Sequence, residues 1–176
     1  MAITAYGMFW SREEIVWNPG KGSGRLNGSP FELLGRHGKQ VGKLRLLDAR
    51  FMHGLYVLHS NYGAYYVGLA NGDHGLGNRL HAHTQDRHAR SWNAFSWFAF
   101  DRVLKSVEES GYQAFKPVPQ FKVTDPAVLI RDLEAMLMLA LGTLERGNKN
   151  QSKFNSADRW EQVALHERAR YRNRLS

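Results

Sequence analysis

Residues 54–83, GLYVLHSNYGAYYVGLANGDHGLGNRLHAH, constrain the fold of this chain more than any other stretch. Two short apolar and aromatic runs, 54–59 and 65–70, flank Asn61-Tyr62-Gly63-Ala64. Turn chemistry between two strand-like runs predicts a β-hairpin. A second break, residues 71–75, precedes a stretch from 76 to 90 that lacks proline and repeats apolar residues at Leu76 and Leu80. That spacing predicts a helix, on which Arg79 and His83 stand four apart and project side by side. A tyrosine in each strand and an Arg/His pair on the helix that follows form a dense polar group.

Downstream, residues 92–100 read WNAFSWFAF, too short for a helix and rich in aromatics, and predict a third strand with Phe95, Trp97, Phe98 and Phe100 in the core. Residues 105–121 contain Gly111, Pro117 and Pro119 and read as a connection, helical in part near 107–109. Thr124-Asp125-Pro126 then starts a helix, a capping side chain followed by proline in the first turn, running to about Arg146 with Gly147 beyond its end. This helix is apolar around most of its circumference and is expected to be buried. Glu134 shares a face with Ala127, Ile130, Leu137, Met138 and Leu141. A buried carboxylate costs several kcal/mol unless it is paired, hydrogen-bonded or bound to metal, so Glu134 is either an ion-pair partner or a ligand.

Together these features resemble the GIY-YIG nuclease superfamily. Its two name motifs appear as Gly54-Leu55-Tyr56 and Tyr66-Val67-Gly68, followed by the helical Leu76-Gly77-Asn78-Arg79-Leu80 and a glutamate on a later apolar helix. The resemblance covers residues 51–154. It implies an α+β fold: a small three-stranded antiparallel sheet, its strands centred on Gly54, Tyr65 and Phe95, packed between the Arg79 helix and the Glu134 helix and extended at both ends. Residues 1–50 would be a basic N-terminal extension packed on the core, 51–155 the nuclease-like core and 156–176 a basic C-terminal helix or tail.

The activity implied is metal-dependent endonucleolytic cleavage of nucleic acid, DNA before RNA. Phosphodiester hydrolysis needs an activated water, a cation for the charge that develops on the phosphate and help for the leaving oxygen. By resemblance, Glu134 would hold one Mg²⁺ or Mn²⁺ and Arg79 would clamp the phosphate. Tyr56 would take the proton of the attacking water with His83 as its neighbour, and Tyr66 would orient water or phosphate. A rival assignment makes His83 the base and leaves Tyr56 to position water. The family's asparagine is Asn148 or Asn150, between which spacing does not choose, and Leu69 stands where many members carry a lysine. His81 and His88 share a helical face but show no third zinc ligand. The alternative to an enzyme is a non-catalytic nucleic-acid-binding module that keeps the fold.

The distribution of charge supports a polyanionic partner. Residues 1–50 carry eight Lys/Arg against four Asp/Glu, residues 51–145 eight against nine, and residues 146–176 eight against three, so the net +8 resides in the flanks. In the first flank the basic side chains are led by Arg36, Lys39, Lys43, Arg45 and Arg50; in the last, Arg168, Arg170, Arg172 and Arg174 crowd a segment in which Trp160, Val163 and Ala164 keep helical spacing. These four arginines either contact phosphates or form a solvated tail. The glycine-rich residues 18–30 lack the Gly-Lys-Ser/Thr ending of a phosphate loop. Residues 7–10 and 15–17 predict two N-terminal strands.

The chain has no cysteine, which excludes disulfides and thiolate metal sites and fits a reducing compartment. No secretory signal is visible at the N-terminus. The longest uncharged apolar run, 135–144, is far shorter than the roughly 18 residues of a membrane span. A soluble, cytoplasmic protein that does not engage membranes is expected, acting alone or as a homodimer.

Overall fold

The structure, a computed structural model, describes residues 3–17, 31–38, 44–72, 75–117, 125–143 and 153–174. Its centre is a seven-stranded mixed sheet built from β1 (Ala5–Ser11), β2 (Leu34–His37), β3 (Leu46–Asp48), β4 (Gly54–Ser60), β5 (Gly63–Ala70), β6 (Ala94–Ala99) and β9 (Asp158–Gln162). The strand order is β3-β2-β9-β1-β6-β4-β5, and β7 (Arg102–Val107) with β8 (Gln113–Lys116) makes a separate two-stranded sheet. Among the described residues three α-helices accompany them: α1 (Gly75–Ala82), α2 (Pro126–Leu141) and the short α3 (Arg168–Arg172). Among the described residues no helix is long and apolar enough to cross a membrane.

This corrects the expected small three-stranded sheet. The three expected strands exist and are neighbours, with β4 between β5 and β6, but β6 is not an edge. Its free side is taken by β1, antiparallel, and β1 in turn pairs parallel with β9. The flanks are thus part of the sheet: residues before 50 and after 156 supply β1, β2, β3 and β9. Tryptophan explains why they cannot remain outside. Trp10 and Trp160 are 1% and 0% exposed, the Trp10 indole donates to the Trp160 carbonyl at 3.2 Å, and Trp10 meets Trp97 of β6 edge to face. Burying such large rings favours folding by roughly 1.5–3 kcal/mol or more apiece.

Several local expectations are corrected with it. The segment around Trp160 is a strand rather than a helix, residues 15–17 form no strand, and residues 102–116 form the β7–β8 hairpin rather than a part-helical connection. Among the described residues, the N-terminal basic side chains are already engaged. Arg50 is 3% exposed and bonds Asp48 through Nε at 2.7 Å, Arg36 pairs with Glu161, and Arg45 reaches Asp158 at 3.7 Å. Lys39, Lys43, residues 18–30 and the expected helix boundaries Thr124 and Gly147 lie outside the described residues.

The sheet buries both faces. Because side chains alternate along a strand, Tyr56 and Leu58 of β4 face one way, into a cluster with Leu76, Leu80, Trp92, Phe95 and Trp97. Leu55 and Val57 face the other, into a cluster with Phe98, Phe154 and the α2 residues Met136 and Ala140. Helices α1 and α2 therefore cover opposite faces. Helix α2 is capped by Asp125, whose side chain accepts from the Ala127 and Val128 amides, and ends at Gly142 in the left-handed conformation, φ 63°. It is not buried all round: Ile130, Leu137 and Leu141 are each more than half exposed. The carboxylate it does bury is Asp132, 0% exposed, which accepts from the Ile3 and Asn155 amides at 3.0 Å each.

Candidate functional site

Two glycines bring the motif residues together. Gly54 lies so close to β6 that a Cβ on it would stand 2.0 Å from the Phe98 carbonyl oxygen. At Gly68 a Cβ would stand 2.2 Å from both Cζ and the hydroxyl oxygen of Tyr56, so the missing side chain is what lets the Tyr56 ring lie across β5. Tyr66 shares that face, its ring centre 6.2 Å from that of Tyr56. The hairpin register slips between Leu58 and His59. That irregularity adds a residue to β5, and Tyr65 as well as Tyr66 reaches His88, its hydroxyl 3.0 Å from Nδ1.

Helix α1 packs by Leu76 and Leu80 and leaves Arg79 exposed. The Tyr56 and Tyr66 hydroxyls lie near its guanidinium and favour its charged form, Tyr56 the more strongly. The helix ends at Ala82 instead of continuing to Arg90. Asp86 turns the chain: its Oδ1 accepts from the His88 amide at 2.7 Å, a local side-chain bond that competes with helix. The Trp92 indole donates to the His83 carbonyl at 3.1 Å and satisfies the released backbone.

His83 becomes the centre of the cluster. Its Nε2 lies 2.7 Å from the Tyr56 hydroxyl and its Nδ1 2.7 Å from Asp86 Oδ2. A carboxylate only accepts, so the Nδ1 proton points at Asp86, and Nε2 accepts from Tyr56. Tyr56 is 0% exposed and His83 5%. Burial raises the Tyr56 phenol above its ordinary value; the nearby Arg79 guanidinium pulls it back in part, and Tyr66 adds to the rise. Asp86 is held below the ordinary carboxylate value: desolvation acts against this and is outweighed by the His88 amide and by the His83 ring.

Tyr56, Tyr66, Arg79 and His83 are therefore neighbours: Tyr56 is hydrogen-bonded to His83, Tyr66 packs on both rings, and Arg79 lies beside the two hydroxyls. Glu134 is not among them. It is exposed on α2, on the far face of the sheet, in a depression lined by Arg131, Lys153 and Asn155. A hard dication takes oxygen ligands, and one carboxylate between two cationic side chains, remote from Tyr56, does not fit Mg²⁺ or Mn²⁺ serving this cluster. Asn148 and Asn150 lie outside the described residues. Arg168 turns inward, donating to the Glu14 carbonyl at 2.9 Å and lying 3.9 Å from Glu32. Arg170 and Arg174 are exposed, and the Arg172 side chain lies outside what the structure describes.

The residues not anticipated are Asp86 and Tyr65, and His88, paired by spacing only with His81, belongs to the group as well. The spacing His83-x-x-Asp86-x-His88 was the available signal. The ligand atoms of these three residues all lie within 4.8 Å of one another. His81 instead stacks on Phe31 and Trp17 and takes no part. Compared with protein-family models, with curated proteins and with solved structures, the chain matches none.

Proposed function

We propose that this chain is an endonuclease that hydrolyses phosphodiester bonds of nucleic acid, DNA before RNA, in the cytoplasm. The observation that carries the reading is the bonded group of Tyr56, His83 and Asp86 beside the exposed Arg79. Arg79 takes a phosphate oxygen and offsets the charge that develops as water attacks phosphorus. The water proton goes to the Tyr56 oxygen, reached once Arg79 turns to the phosphate, as the Tyr56 proton goes to His83 Nε2; the P–O bond to the leaving sugar oxygen breaks, and that oxygen takes its proton from solvent. A phenol with a raised pKa is a poor free base at neutral pH, and this transfer never requires a free phenolate. Asp86, on Nδ1, stabilises the imidazolium that results and keeps the ring in its tautomer, as the acid of a hydrolase triad does.

Mg²⁺ or Mn²⁺ is the cofactor the family resemblance implies. The proton path runs through the chain's own side chains, because Glu134 lies away from the group. That same position favours a second reading, a nucleic-acid-binding module without catalysis. Incubation with plasmid and with single-stranded DNA, with and without Mg²⁺ or Mn²⁺, separates the two. Strand cleavage is expected; salt-sensitive binding with no cleavage under any condition would establish the second reading.

A further inference from the structure

We propose that His83, Asp86 and His88 form a binding site for a divalent transition ion such as Zn²⁺ or Co²⁺, and that the bound ion closes the proton path from Tyr56 to His83. The second part rests on the nuclease reading; the first does not.

Two imidazoles and one carboxylate suit an ion of intermediate softness rather than Mg²⁺. Three such ligands with a fourth position left to water is a common zinc arrangement. In a tetrahedral site, ligand atoms stand roughly 3.3 Å apart. The three donors, all within 4.8 Å, reach that with side-chain adjustments on the order of 1 Å. His83 and His88 are 5% and 9% exposed, so their rings are already held. Tyr66 packs against both, 5.1 Å and 4.9 Å between ring centres. The Asp86 side chain is 38% exposed and opens the site to solvent.

The present partners must give way. Asp86 Oδ2 now takes the His83 Nδ1 proton. Tyr65 occupies His88 Nδ1, and Arg87 Nε donates to His88 Nε2 at 3.2 Å. Arg87 is exposed and free to swing into solvent once a cation arrives.

The consequence for Tyr56 follows from counting protons. A neutral imidazole carries one N–H. With the ion on Nδ1, that proton must sit on Nε2, which then donates to the Tyr56 oxygen and can no longer accept from it. No proton is gained or lost; only its position changes.

The test is titration of the full chain with Zn²⁺ by calorimetry and with Co²⁺ by visible absorption, beside His88→Ala and the conservative Asp86→Asn, each shown to be folded by circular dichroism. One site per chain is expected, with affinity at least tenfold weaker in both variants. No binding below about 100 µM, or equal affinity in both variants, overturns the site. In the cleavage assay with Mg²⁺, Zn²⁺ should inhibit at the concentration at which it binds, and inhibition of His88→Ala should need at least tenfold more. Binding without inhibition of an active enzyme overturns the closed path. Variant-sensitive binding in a chain that cleaves under no condition confirms the site and overturns the nuclease reading instead.

Discussion

The Tyr56 hydroxyl and His83 Nε2 stand 2.7 Å apart, with the other nitrogen of the same ring fixed on Asp86. The contact joins a residue of the sheet interior to one just past the end of α1. Tyr56→Phe removes the only proton this bond can pass while keeping the ring. A loss of about 10² to 10⁴ in single-turnover cleavage is expected, with the melting temperature little changed. His83→Ala should lose a similar factor, and the double variant little more, since the two act as a unit. Full activity in Tyr56→Phe would remove the phenol from the mechanism.

Gly68 carries the same bond indirectly. A Cβ there meets the Tyr56 ring at 2.2 Å, and the ring is enclosed by the core, so Gly68→Ala must move it. Overpacking of this kind costs about 1–3 kcal/mol. Denaturant unfolding should show that cost and cleavage should fall as in Tyr56→Phe. Gly72→Ala, with nothing within 4 Å of the added carbon, is the control and should match the parent in both.

Helix α2 separates two carboxylates. Asp132→Ala strands the buried Ile3 amide, at about 1–3 kcal/mol, and takes the acceptor from the part-buried Asn155 amide. Exposed Glu134 should change stability by no more than about 0.5 kcal/mol when truncated. From its position, Glu134→Ala should also keep cleavage within a few-fold. The family resemblance implies abolition instead, and a folded Glu134→Ala chain that no longer cleaves would mean that α2 approaches the tyrosines when substrate binds.

What was legible in the sequence was local. Alternation and turn chemistry around Gly54–Ala70 marked β4 and β5, and the aromatic run marked β6. The strand pairings that build the rest of the sheet join distant segments, Ala5 with Asp158 for one, and leave no periodic trace. Trp160 and Val163 happen to keep helical spacing, yet Trp160 is drawn into the sheet by Trp10. Likewise an apolar circumference predicted a buried α2, but it covers the sheet with only one side. Arg79 and His83 could be paired from spacing, and Tyr56 was joined to them by the resemblance. Asp86 could not, because its part depends on ending α1 early, a contest between side-chain and helix hydrogen bonds that the apolar pattern does not register.

A second histidine makes stability depend on pH. His59 is 4% exposed, its Nε2 lies 2.9 Å from Ser96 Oγ, and burial lowers its pKa to about 4. Unfolded, it titrates near 6.5. Between those values the unfolded chain binds more protons than the folded one, so stability rises with pH. The contribution is fully present above about 6.5 and is lost as pH falls toward 4. Urea midpoints measured across that window should fall less steeply in His59→Gln than in the parent, and parallel curves would show that another group governs the slope.

The basic C-terminal segment offers nucleic acid two exposed arginines, Arg170 and Arg174. Deleting it would confuse binding with folding, because Tyr171 is 6% exposed in a cluster with Leu34, Leu46, Tyr112 and Val163. Arg168 is likewise committed to Glu14 and Glu32. Arg170 and Arg174 project from the same segment and are exposed, so they can be neutralised without disturbing the core. If both pair with phosphates, Arg170→Gln with Arg174→Gln should weaken DNA binding. It should also flatten the slope of log K against log salt by roughly 0.7 to 0.9 for each phosphate left unneutralised, because fewer counterions are released. Arg168→Gln should instead lower the melting temperature while leaving the slope unchanged. A slope unaltered by the double substitution would make the two arginines ordinary solvated charge.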